Sequence, residues 1–146
     1  MKTIIKKNPI LYEHFNGIVE RKDLKKSPIH EKTFTIVYIP NGKIGHFVCY
    51  FNFSYPYFFD SFGHSPKYYK LPNGICHNTM QIQNKSSCLC GAYIVFIIHH
   101  CIKYKVDPKK FIERTFDSKN LTKNDNLVFS FINQLGIKNK SILKCQ

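Results

Sequence analysis

The sequence has no tryptophan, only two methionines, and nine acidic residues against 22 lysines and arginines in 146 residues. The shortage of acids leaves a formal net charge of +13. Such a balance favours polyanions as partners, whether nucleic acid, an anionic membrane surface or an acidic protein. No nucleic-acid reader motif accompanies the charge. Long apolar runs are also missing. The longest uncharged one, Ala92 to Ile98, has seven residues, where a bilayer needs about 20, so no membrane insertion is expected. The stretch Met1-Lys2-Thr3-Ile4-Ile5-Lys6-Lys7 carries charge without a continuous apolar core. No signal peptide is expected there, and the chain is expected in a reducing compartment with free thiols. The six cysteines include no Cys-x-x-Cys pair. Cys88-Leu89-Cys90, Cys76-His77 and His99-His100-Cys101 are therefore poorly spaced for structural zinc, and no metal is expected.

What is present is apolar and aromatic. Apolar residues make up 43% of the chain, with 13 Phe and 9 Tyr. This is a composition for a packed core, not for a disordered chain. Without internal repeats or a linker, residues 1–146 read as a single domain.

Residues 1–32 are basic and broken up by Gly17, Lys25-Lys26 and Pro28. They read as a packing arm with little regular structure, in which Pro9 to Phe15 forms a short helix or an irregular stretch. Phe34 to Ile39 is rich in β-branched and aromatic residues and ends at the turn Pro40-Asn41-Gly42. Ile44 to Phe53 and Tyr57 to Phe62 follow as further strands, giving an antiparallel meander. Its strands are apolar on both faces, as expected of a sheet covered by helices. His64 to Met80 reads as a loop with one helical turn, and Thr79 to Gln83 as a fourth strand. A buried helix then starts at Cys90 and ends near Lys103 to Lys105, where His99, His100 and the lysines suit the helix dipole. Pro108 opens a short helix over Lys109 to Arg114. Asn124 to Leu135 has apolar residues at helical spacing and stops at Gly136. Residues 137–146 form a basic tail.

Cys90 stands where the buried helix begins. A helix N-terminus carries roughly half a positive charge and unpaired N–H groups, both of which favour a thiolate. Gly91 leaves room beside it, and the Gln83 side-chain amide is placed to join the Cys90 N–H in an oxyanion hole. A cysteine nucleophile needs a base, and the base needs an orienting partner. His46 lies in the second strand and Asp60 at the end of the third, so antiparallel pairing brings both to one end of the sheet. Taken singly, each has a plainer reading: a buried structural cysteine, a satisfied histidine, a strand-end cap. The four together point to thiol chemistry. Cys49 and Cys101 read as buried small hydrophobes, and Cys145 as an exposed, oxidisable thiol.

His46 after Gly45, Asp60 in Phe59-Asp60-Ser61-Phe62-Gly63, and Gln83 seven residues before Cys90-Gly91-Ala92-Tyr93 resemble the adenain-like cysteine proteases, the maturation proteases of adenoviruses. The match runs from about Ile44 to Cys101. The related SUMO proteases share the order of residues but have a Gln-to-Cys segment one residue shorter, usually with Asp where this chain has Leu89. The resemblance implies an α+β fold in which a small, mostly antiparallel sheet packs on a helix bearing the nucleophile. It implies a monomeric thiol endopeptidase of a virus or virus-like mobile element, cutting viral precursor proteins during particle maturation through a thioester acyl-enzyme. Cys90 would be the nucleophile, His46 the base, Asp60 the orienter and Gln83 the oxyanion donor. It further implies DNA and a viral peptide, disulfide-linked at Cys76, as activators, and a place in the virion and the host nucleus or cytoplasm. Phe47 departs from the usual Trp, Asp60 from the usual Glu, and the Cys76 spacing is shorter. Two other readings stay open: a deconjugating enzyme for a ubiquitin-like modifier using the same residues, and a non-enzymatic basic DNA-binding protein.

Overall fold

A computed structural model describes residues 1–24 and 29–135. It is an α+β arrangement. Its elements run α1 (Lys2–Lys7), α2 (Pro9–Tyr12), β1 (Phe15–Glu20), β2 (Thr33–Ile39), β3 (His46–Asn52), β4 (Pro56–Phe59), β5 (Cys76–His77), α3 (Cys90–Tyr104), α4 (Pro108–Thr115) and α5 (Leu121–Gln134). The expected breaks at Lys25-Lys26 and Pro28, the stop at Gly136, the 137–146 tail and Cys145 lie outside the described residues.

One five-stranded sheet has the order β1-β2-β3-β4-β5. The central meander β2-β3-β4 is antiparallel, as its short turns require. Both edges differ from expectation. β1 joins β2 in parallel, and β5 joins β4 in parallel. The sheet is therefore mixed, with two parallel and two antiparallel pairings, rather than mostly antiparallel.

The first residues are more regular than their composition suggests. The side chain of Asn8 caps α2 by accepting the Leu11 N–H, and Pro9 fits the first helical position. Ile4, Ile5 and Leu11 are buried in the main core, so the arm does pack across the domain. The expected strand over Thr79 to Gln83 does not form; only Cys76 and His77 pair with β4, and residues 78–89 are irregular.

The period-2 pattern of β2 to β4 sorts their side chains onto two faces. Phe34, Ile36, Cys49, Phe51, Tyr57 and Phe59 pack against α3. Val37, Ile39, Val48, Tyr50 and Phe58 form the opposite face, where Tyr69 and Leu71 cover them. This second face is closed by the 64–75 segment, with its 3₁₀ turn Pro66–Tyr69, instead of a helix. α3 is buried almost all round, from Gly91 to His99 and again at Cys101, which explains its unbroken apolar sequence. α5 buries Asn124, Val128 and Ile132, one stripe at four-residue spacing. No described helix is long and apolar enough to cross a membrane.

The expectation that His99 and His100 add positive charge at the end of α3 is corrected. Burial, together with the neighbouring Lys103, lowers the pKa of both. The basic contribution in the last turn comes from Lys103.

Candidate active site

Asp60 follows the last residue of β4, where the ladder to β3 has ended. Its main chain is held instead by a side chain. Asn78 Oδ1 accepts the Asp60 N–H at 3.0 Å, and Asn78 Nδ2 donates to the Asp60 carbonyl at 2.5 Å. One amide thus replaces a strand partner. The carboxylate is completely buried and accepts four hydrogen bonds. Oδ1 receives His46 Nε2 at 2.6 Å and the Phe62 N–H at 3.0 Å. Oδ2 receives the Tyr69 hydroxyl at 2.7 Å and the His64 N–H at 3.1 Å. A carboxylate has about four acceptor sites, and all are used. Burial alone would raise its pKa, but the imidazole, the Phe62 N–H and the Tyr69 hydroxyl outweigh it and hold the group below the usual carboxylate range.

His46 opens β3, and its side chain is 12% exposed. The Phe62 ring lies flat on the imidazole, with centroids 4.6 Å apart and planes 20° apart. Burial disfavours the imidazolium. Hydrogen bonding to Asp60 and to Cys90, with the charges on both, overcomes this and raises the His46 pKa to about 9. With Nε2 committed to Asp60, Nδ1 is the nitrogen left for Cys90. Gly45, just before, has its own reason: a Cβ there would lie 1.9 Å from Tyr38 Cε2. The Tyr38 ring lies against the chain that leads into His46, and a larger residue at position 45 would have to push that ring aside.

Cys90 is the first residue of α3 and is half-buried. Leu89, in the N-cap position, supplies no side-chain cap. The first N–H groups of the helix are therefore not taken by a capping side chain, which suits a site that binds negative charge. A side chain at Gly91 would meet Met1 Sδ at 3.1 Å, so the Met1 side chain, just ahead of α1, lies over this glycine.

Gln83 joins the group by a different route. It is 1% exposed. Its Oε1 accepts the Ser61 hydroxyl at 2.6 Å, and its Nε2 donates to the Ser87 carbonyl at 2.8 Å. A carbonyl can only accept, so the Ser87 contact fixes which end of the amide is nitrogen. Nε2 keeps a second hydrogen. The structure thus pairs His46 directly with Asp60, sets Cys90 close enough to help raise the His46 pKa, and ties Gln83 to them through Ser61, the neighbour of Asp60.

Four supporting residues were not singled out from sequence: Ser61, Phe62, Tyr69 and Asn78. The Asp60-Ser61-Phe62-Gly63 run did hold a signal. Asp60 orients the imidazole, Ser61 holds the amide, Phe62 covers the ring, and Gly63 has φ +78° with a Cβ position only 2.8 Å from the Thr79 carbonyl oxygen. Tyr69 and Asn78 carried none, because their partners are 9 and 18 residues away.

Cys76 is exposed at the outer strand β5, as a free thiol. Cys49 and Cys101 are buried as expected, and burial pushes the Cys101 thiol up to about 12. Cys88 is disulfide-bonded, which departs from the expectation of free thiols throughout. Among the described residues no group of His, Cys, Asp and Glu is placed to hold a metal ion.

No protein-family model matches the sequence, and no curated protein matches it. Function is therefore read from the site.

Proposed function

We propose that the protein is a cysteine-type endopeptidase with Cys90 as nucleophile, His46 as general base and acid, Asp60 as the orienting carboxylate and Gln83 as an oxyanion donor. The observation that carries this reading is the 2.6 Å bond between the fully buried Asp60 and His46, beside a Cys90 that helps hold the His46 pKa at about 9. A buried carboxylate filled by four donors is a costly way to hold a histidine that has only a packing role.

In the proposed reaction Cys90 Sγ attacks the carbonyl carbon of a peptide bond. The oxyanion is met by the Cys90 N–H and the second Nε2 hydrogen of Gln83. His46 gives its proton to the departing amine, leaving a thioester. Water then attacks the thioester, His46 takes its proton, and Cys90 leaves as the thiolate before the cycle repeats. Asp60 stays ionised throughout and stabilises the imidazolium.

The resemblance to adenain-like proteases extends the proposal to precursor proteins of a virus or virus-like element as substrates. DNA and a peptide joined at the exposed Cys76 would be activators, within the virion or the infected cell. The net charge of +13 supports the nucleic-acid part. The test is turnover of fluorescent casein by wild type and Cys90→Ala. Loss of turnover with an unchanged fold supports the reading, and retained turnover refutes it.

A further inference from the structure

The irregular stretch that carries Gln83 is fixed on both sides. On one side the Ser61 carbonyl accepts the Ile82 and Gln83 N–H groups at 3.0 and 3.1 Å. On the other side lie residues of α3 and α5 beyond the four proposed catalytic positions. The Ile82 carbonyl faces Asn124 Nδ2 at 3.0 Å and the Tyr93 hydroxyl at 3.0 Å. The same hydroxyl lies 2.7 Å from Asp125 Oδ1, which also accepts the Asn84 N–H at 3.5 Å.

A phenol has one proton to give. The shorter contact to a charged acceptor takes it, so Tyr93 donates to Asp125. The Ile82 carbonyl then depends on Asn124. That amide is 2% exposed and uses both ends, with Nδ2 also reaching the Asp117 carbonyl at 2.8 Å and Oδ1 accepting the Asp117 N–H at 2.9 Å. Asn124 occupies the core-facing stripe of α5 beside Val128 and Ile132, where an apolar side chain would otherwise be expected. Tyr93 stands three residues after Cys90, on the first turn of the same helix. The network thus spans the two segments whose spacing sets an oxyanion hole: the nucleophile helix and the residues on either side of Gln83.

We infer that Asn124 and Asp125, acting with Tyr93, are positioning residues that set the Gln83 amide relative to the start of the Cys90 helix. The inference rests on the peptidase reading for its catalytic consequence, and on geometry alone for the positioning itself.

Two readouts separate this from a plain packing role. The first is NMR hydrogen exchange of the Gln83 side-chain amide in Tyr93→Phe and Asp125→Ala, which needs no activity. Exchange should speed up in both variants, and Asp125→Asn, which keeps an acceptor, should restore part of the protection. The second compares casein turnover with Cys90 alkylation by iodoacetamide, a reaction that forms no oxyanion. Turnover should fall about tenfold with little change in KM, while alkylation stays at the wild-type rate. Unchanged Gln83 exchange in both variants overturns the inference. So does a parallel fall in alkylation and turnover, which would mean general damage to the helix start. Retained turnover in Cys90→Ala would instead overturn the peptidase reading and leave the exchange result standing.

Discussion

Asp60 and Ser61 are neighbours in the chain and serve the two halves of one site. Asp60 holds His46 Nε2 at 2.6 Å, and Ser61 holds Gln83 Oε1 at 2.6 Å. The imidazole and the amide are therefore referenced to the same two residues, which Asn78 fixes through the Asp60 main chain. Errors in placing one half are shared by the other, which keeps the imidazole and the amide in register as the proposed reaction requires.

The first prediction follows from the four donors on Asp60. Each oxygen accepts one main-chain N–H, from Phe62 or from His64. Those groups cannot reverse their polarity. In Asp60→Asn, either orientation of the amide sets an NH₂ against a fixed donor. A loss of about 3 kcal/mol in unfolding free energy is expected, with turnover reduced about a hundredfold or more. Urea unfolding and casein hydrolysis measure the two. A variant of unchanged stability would contradict the carboxylate geometry.

Gly63 gives a second prediction. Its φ of +78° is costly for other residues, and its Cβ position lies within 2.9 Å of main-chain atoms of residues 79–81. Those atoms belong to the stretch that leads to Gln83. Gly63→Ala should cost about 2 kcal/mol or more and displace that stretch. Gly74→Ala is the control, since its φ is +94° but nothing lies within 4 Å of the added methyl. The clash predicts a larger loss at Gly63 than at Gly74, read by thermal unfolding.

A third prediction concerns pH. The His46 pKa is raised from 6.5 to about 9 in the folded protein. A raised histidine stabilises the fold fully below the unfolded value, and that contribution is lost as pH rises from 6.5 through 9. The loss is at most about 3.5 kcal/mol, from about 1.4 kcal/mol per pH unit. Asp60 has the opposite sign: its depressed pKa stabilises the fold above the ordinary carboxylate value and is lost as pH falls below it. Stability should therefore be greatest between these limits, and turnover should decline through about pH 9 as the imidazolium is lost. His46→Gln should remove the part of the decline that falls between pH 6.5 and 9, leaving the loss at higher pH that comes from the buried thiols Cys49 and Cys101.

How much of this was legible in the sequence depends on the range of each contact. The meander β2-β3-β4 and the helices α3 to α5 follow from local patterns, and their bounds lie within a few residues of expectation. β1 was hidden because Gly17, at φ +139°, interrupts its pattern and its partner β2 lies beyond a long connection. The stretch Thr79 to Gln83 has strand-like composition, yet the Asn78 side chain takes the Asp60 main-chain groups and the Ser61 carbonyl takes two successive N–H groups, so no ladder forms. His46, Asp60 and Cys90 could be ordered by motif and strand pairing. The Tyr69 and Asn78 contacts needed the 64–78 segment folded back on β4, which no local pattern encodes.

The central claim is an activated Cys90–His46 pair, and the most direct test is thiol labelling at pH 6, where ordinary cysteines are mostly protonated. The exposed Cys76 is replaced by Ser to remove its background, and Cys49 and Cys101 are shielded by burial. The label is located by peptide mapping in wild type, His46→Ala and Cys90→Ala. Fast labelling of Cys90, slowed about a hundredfold or more in His46→Ala and absent in Cys90→Ala, is the predicted result. A Cys90 that labels slowly in the folded protein, and at the same rate with and without His46, would contradict it.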